Sequence, residues 1–183
     1  MIEAGADVNY ISSDGYTPLC QASNQNNSEI VQILLANNVD VNKANIYGKT
    51  PLYIASVEGQ SKIVQLLLAN NADVNKADKC EPPPLFLASC GGYSDVVKLL
   101  LDNNADVSKA NSSGRTPLYG ACDSRNIEVA QLLLTKCNND DVNKIDEEGW
   151  GWTPLYLASR RGYIDVVKIL LANNADVNKT NNI

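Results

Sequence analysis

Thr50-Pro51-Leu52-Tyr53-Ile54-Ala55-Ser56 decides the fold, because it is one of five copies of one phrase. The others are TPLCQAS from Thr17, PPLFLAS from Pro83, TPLYGAC from Thr116 and TPLYLAS from Thr153. The first four copies start 33 residues apart and the last step is 37. A fixed period of this size marks an array of stacked units. Such an array presents an extended surface rather than one chemical site.

The stretch around the second copy shows what one unit encodes. Gly48 sits in a polar turn that wants a residue with positive φ. Thr50 can cap free N–H groups, and Pro51 at the first helical position sacrifices no hydrogen bond. Leu52 and Ala55 lie three apart on one face of a short helix, and the small Ala lets a neighbouring helix approach. Gly59 ends that helix. A second helix follows from Ser61 to Ala69, with Ile63, Val64, Leu67 and Leu68 as its apolar stripe. Asn70-Asn71 terminates it, and Ala72-Asp73-Val74-Asn75 leads outward. Helices of about ten residues are unstable alone in water, so each must be held by its neighbours.

Composition narrows the chemistry. Hydrophobic residues make up 44% and charged residues 20%, ordinary values for a folded protein. A formal charge of -6 with no basic cluster disfavours nucleic acid and anionic membrane as partners. No basic stretch followed by an apolar run opens the chain, and no long apolar segment follows. Five cysteines, an odd number without a CxxC, read as free thiols of a reducing compartment. A redox or metal role for Cys80 and Cys90 is the alternative. There is no histidine, which removes the commonest general base and metal ligand. No catalytic residue, cofactor or metal is expected.

The motif xGxTPLxxA, the IVQLLL helix and the ADVN exit together resemble the ankyrin repeat, in order and over essentially the whole chain. The resemblance implies an all-α repeat solenoid of stacked helix–turn–helix units joined by β-hairpin finger loops. It implies a concave face made by fingers and first helices, and a protein-binding role without catalysis. Residues 1–183 are then one domain. Residues 1–11 are the tail of a preceding partial repeat, and 12–44, 45–77 and 78–110 are repeats one to three. Residues 111–145 form repeat four, with a two-residue insertion in its exit, and 146–183 form repeat five, with two more in its finger. Neither end shows a polar capping face, so the chain is expected to be an excerpt of a longer array, or to pair through its ends.

Several positions depart from the family pattern. The His that usually follows TPL, and ties one turn to the next, is replaced by Cys20, Tyr53, Phe86, Tyr119 and Tyr156. Tyr can keep a polar tip there, whereas Cys20 and Phe86 are expected to do so poorly. Asn38, Asn71, Asn104 and Asn174 stand where Gly ends the second helix, and Asn is the next choice for a left-handed residue. The exit asparagines Asn9, Asn42, Asn75, Asn143 and Asn178 correspond to residues that brace the family's hairpin loop and can be hydroxylated; Ser108 interrupts the series. In repeat three, Glu81 takes the Gly place and Pro83 the Thr place, so its finger should be reshaped while both helices persist.

The resemblance also places a working surface at the finger tips and late in each first helix. Its candidates are Tyr16 in the first row, and Ile46, Tyr47, Lys49, Val57 and Glu58 in the second. Arg115 and Asp123 represent the fourth row. The fifth contributes Glu147, Glu148, Trp150, Trp152, Arg160 and Arg161. The second row is partly apolar and the fifth joins aromatics to Arg, the types that dominate interface energetics. One Trp ring is alternatively expected to fold back onto the neighbouring repeat.

The expected function is a non-catalytic module that binds a protein or peptide in this groove, monomeric and cytoplasmic. The alternatives are a structural spacer or targeting segment of a larger protein, and export as an effector.

Overall fold

Each Thr-Pro pair opens a helix as the spacing predicts. In the computed structural model, which describes residues 7–76, 81–147 and 151–179, the hydroxyls of Thr17, Thr50, Thr116 and Thr153 accept the amides of Cys20, Tyr53, Tyr119 and Tyr156. These caps start α1 (Pro18–Asn24), α3 (Pro51–Val57), α7 (Pro117–Asp123) and α10 (Pro154–Arg160). In repeat three, α5 (Pro84–Gly91) begins after Pro83 with no side-chain cap. That helix and its partner α6 (Ser94–Asp102) both persist, as expected. The finger expected to be reshaped falls largely on residues 77–80, outside the described residues.

The first helix turns back through a left-handed residue into the second. Gly59, Gly92 and Gly162 have φ of 66°, 73° and 71°, and Asn26 and Arg125 hold the same place at 54° and 57°. The second helices are α2 (Ser28–Leu35), α4 (Ser61–Ala69), α6, α8 (Ile127–Leu134) and α11 (Ile164–Ala172). Asn38, Asn71, Asn104 and Asn174 follow them at φ between 58° and 63°, the left-handed role the sequence assigned. The preceding Asn has its own task. Asn37, Asn70, Asn103 and Asn173 each donate a side-chain N–H to the carbonyl four residues back, satisfying an orphan acceptor of the helix end.

Stacking produces two helix layers. First helices pack in the series α1, α3, α5, α7, α10, and second helices in the series α2, α4, α6, α8, α11. The core runs continuously between the layers. Leu52, Ile63, Val64 and Leu67 are fully buried or nearly so, and Leu19, Leu85, Leu118 and Leu155 repeat the Leu52 position. Ala22, Ala55, Ala88, Ala121 and Ala158 are buried where first helices approach one another. Each buried Leu contributes about 1.5–3 kcal/mol, which offsets the short helices' own instability.

The fingers close more sparingly than a β-hairpin, and there is no strand among the described residues. In the first, second, fourth and fifth fingers a bond joins the two arms: Ser12 N–H to the Tyr16 carbonyl, Asn45 to Lys49, Asn111 to Arg115 and Asp146 to Trp152. In the first three of these the turn adds Gly15 N–H to the Ser12 carbonyl, Gly48 to Asn45 and Gly114 to Asn111. The Thr cap begins immediately after the second partner, so no ladder can extend. Neighbouring fingers are joined by Ile46 N–H to the Gly15 carbonyl and Glu147 N–H to the Ser113 carbonyl. Gly15 has φ of 86°, the conformation that favours Gly, and a Cβ there would stand 2.3 Å from the Ile46 side chain, which would have to move aside.

The insertion in the repeat-four exit folds into an extra turn, α9 (Asn139–Val142). Asn138 caps it, accepting the amides of Asp140 and Asp141, while Asp141 accepts the Asn138 amide in return. This reciprocal capping box fits Asn-x-x-Asp as well as the more familiar Ser-x-x-Glu.

Candidate protein-interaction surface

The fingers are built on a residue the sequence reading passed over. Asn45 Oδ1 accepts the amides of Tyr47 and Lys49, and Asn111 Oδ1 accepts those of Ser113 and Arg115, each at 3.0 Å. Ser12 Oγ accepts the Tyr16 amide, and Asp146 Oδ1 the Trp152 amide. The signal was present. A short polar acceptor stands five residues before Thr17, Thr50 and Thr116, and seven before Thr153 where the finger is longer. Such side chains hold turns by bonding to nearby backbone amides.

The residues after TPL tie successive fingers together. The Tyr53 hydroxyl donates to Glu81 Oε2, and the Tyr119 hydroxyl donates to Asp146 Oδ2 at 3.3 Å. Burial, with the Glu81 carboxylate beside it, pushes the Tyr53 phenol well above its usual range. Burial and Asp146 raise Tyr119 to about 12, against the opposing Arg115. Cys20 corrects an expectation. Its thiol is fully buried and reaches the next finger, with the Lys49 carbonyl at 3.5 Å and the Lys43 carbonyl at 3.7 Å. A small donor suffices because the acceptors are backbone carbonyls that come to it. Glu81 was read only as a disruption of the third turn, yet it supplies the acceptor for Tyr53.

Across the exits runs a second ladder. Oδ1 of Asn9, Asn42, Asn75 and Asn143 accepts the amide of Asp40, Asp73, Asp106 and Asp176 in the following repeat, at 2.7–2.9 Å. Ser108 breaks it, as the sequence showed. The amide left without that acceptor belongs to Asp141, and Asn138 takes it at 3.0 Å. The break and the insertion therefore compensate one another.

On this frame the predicted surface residues fall into two groups. In fingers one and two, Ile46 is 63% and Tyr47 54% exposed, with Val57 exposed at the end of α3. The Tyr16 and Tyr47 rings meet at 6.2 Å. Beneath them Cys20, Tyr53 and Ile54 form a small buried cluster against Tyr16 and Leu87. Lys49 is half-buried with its ammonium over the Tyr53 ring, and Glu58 is exposed.

The second group joins repeats four and five. Arg115 stands 3.6 Å from the buried Asp146 and lies over the Tyr119 ring. Its Nε is buried without a hydrogen-bond partner. Cys90 lies in the same neighbourhood: burial raises its thiol to about 11, with Asp123 adding and Arg115 opposing. Arg161 pairs with Asp123 at 2.7 Å and also donates to the Asp123 carbonyl. Arg160 is exposed, with its guanidinium 4.5 Å from the centre of the Trp152 ring. That ring in turn packs 5.2 Å from Tyr156, so Trp152 lies against the first helix of its own repeat. Glu147 is exposed at the same finger. Glu148 and Trp150 lie outside the described residues.

This arrangement offers contact area and charge. Among the described residues no cluster of three or more His, Cys, Asp or Glu could hold a metal, and no helix is long and apolar enough to cross a membrane.

A comparison with curated proteins finds no match. A family model described as ankyrin repeats (3 copies) matches residues 1–78 and 85–181. Ankyrin repeats are in general protein–protein interaction modules and typically lack enzymatic activity. With nearly its whole length matched, this chain belongs to the ankyrin-repeat family.

Proposed function

We propose that the chain is a non-catalytic scaffold that binds a protein or peptide along the face made by its finger tips and first-helix ends. It acts as a monomer in the cytoplasm, away from nucleic acid and membranes. The observation that carries this reading is the exposure of Ile46 at 63% and Tyr47 at 54% on adjacent positions of one rigid finger. Large apolar side chains held outward by backbone bonding cost solvation and contribute nothing to the core, whereas a partner would bury them. The fifth row adds an aromatic–Arg group of the kind that anchors interfaces.

Affinity purification with mass spectrometry tests the reading. Wild type is compared with an Ile46→Ser/Tyr47→Ser variant and with a variant of the second-helix layer, Lys62→Ser/Lys98→Ser. The finger variant should lose a partner that the second-helix variant keeps, with unchanged melting for both. Loss through the second-helix variant alone would overturn it.

A further inference from the structure

The two groups of surface residues differ in chemistry, and the difference runs along the array. At fingers one and two the exposed apolar side chains Ile46 and Tyr47 are flanked by the exposed carboxylates of Asp14 and Glu58. Lys49, the cation among the described residues of these two fingers, is drawn down over Tyr53. At repeat five the balance reverses. Arg161 is engaged by Asp123 through a side-chain and a backbone oxygen, and Arg115 stands beside buried Asp146. Arg160 has no ion pair among the described residues; it is exposed, with its guanidinium 4.5 Å from the centre of the Trp152 ring. A guanidinium held over an aromatic face can still offer its N–H donors to a carboxylate. Glu147 belongs to the finger of that row, so the cationic side is the helix end, where Arg160 and Arg161 adjoin.

Resting on the reading of this face as a binding surface, we infer that its occupant is an extended acidic peptide segment of defined polarity. A large apolar side chain seats against Ile46 and Tyr47, and a carboxylate pairs with Arg160. Charge complementarity fixes the direction. Asp14 and Glu58 repel a carboxylate from the apolar end, while Arg160 attracts it to the other. The two anchors are three helix-to-helix steps apart, about 25–30 Å, which about eight residues of extended chain would span. Carboxylate and guanidinium form a bidentate pair whose geometry Asn or Gln cannot reproduce.

The full chain can be used to select binders from a displayed library of random peptides about sixteen residues long, roughly twice the required span. Selected peptides should carry a large apolar residue and an Asp or Glu about eight positions apart. Changing that acid to its amide should weaken binding to wild type about tenfold, and have little effect on binding to Arg160→Gln. Tyr47→Ala should weaken the same peptides while leaving the acid-to-amide ratio intact. Arg160 and Tyr47 are exposed, so melting temperature should not move in either variant. Binders that depend on Tyr47 or Arg160 but show no preference for acid would overturn this inference alone. A selection in which every binder is insensitive to both variants would overturn the interaction reading, and this inference with it.

Discussion

The hydroxyl of Tyr53 donates to the carboxylate of Glu81, 28 residues along the chain and one repeat away. The bond couples two departures from the family pattern that each looked like a loss. The residue replacing His supplies a donor, and the residue replacing Gly supplies its acceptor. A hydrogen bond to a charged group contributes about 1.5–3 kcal/mol. A double-mutant cycle of Tyr53→Phe and Glu81→Gln, followed by urea unfolding, should therefore return a coupling of about 1–2 kcal/mol. Additive losses would mean that the pair does not hold repeats two and three together.

The protonated side chains buried in the array predict sensitivity to alkali. Cys122 and Cys137 are raised from 9.0 to about 12 and Cys90 to about 11, chiefly by burial, and Tyr119 is raised from 10.0 to about 12. Above pH 9 the unfolded chain releases these protons while the folded chain retains them. Stability is thus complete below pH 9 and lost between pH 9 and about 12. Urea midpoints across this range should fall steadily, and Tyr119→Phe should flatten the fall above pH 10. A midpoint constant to pH 11 would contradict these burial assignments.

The exit ladder gives a prediction with an internal control. Asn75→Ala removes the acceptor of the Asp106 amide and should cost about 1–2 kcal/mol. Ser108→Asn restores the family residue, yet it should change stability by less than about 0.5 kcal/mol, because Asn138 already holds the Asp141 amide. Asn138→Ala, which removes that cap, should cost about 1 kcal/mol. Thermal melting of the three variants distinguishes compensation from simple loss: a large gain from Ser108→Asn would show that the ladder is still open at that step.

Asn104 sits at φ 63°, where a side chain with Cβ is strained. Asn104→Gly should be neutral to stabilising by up to about 1 kcal/mol, and Asn104→Ala destabilising by about 1 kcal/mol. Calorimetry of the pair checks both signs at once.

The helices, their caps and their left-handed ends were legible because each is set locally. Thr50, Pro51, Gly59 and Asn71 act on backbone groups within a few residues of themselves. The core stripe was legible for the same reason, since helical spacing fixes which side chains share a face. What escaped was contact between repeats. Nothing near Glu81 in sequence indicates Tyr53, and nothing near Cys20 indicates the Lys49 carbonyl. The finger acceptors Asn45 and Asn111 were overlooked although their period was visible. On the candidate surface, the positions of Ile46, Tyr47 and Arg160 followed from register, whereas the pairing of Arg161, rather than Arg160, with Asp123 did not.

The central claim is that partners engage the finger tips and first-helix ends. Hydrogen exchange of the full chain, alone and with a selected peptide bound, tests it most directly. The account predicts slowed exchange at residues 46–49, 57–58, 151–152 and 160–161, with α2, α4, α6, α8 and α11 unchanged on their outer faces. Slowing confined to those second helices, with the fingers unaffected, would contradict it.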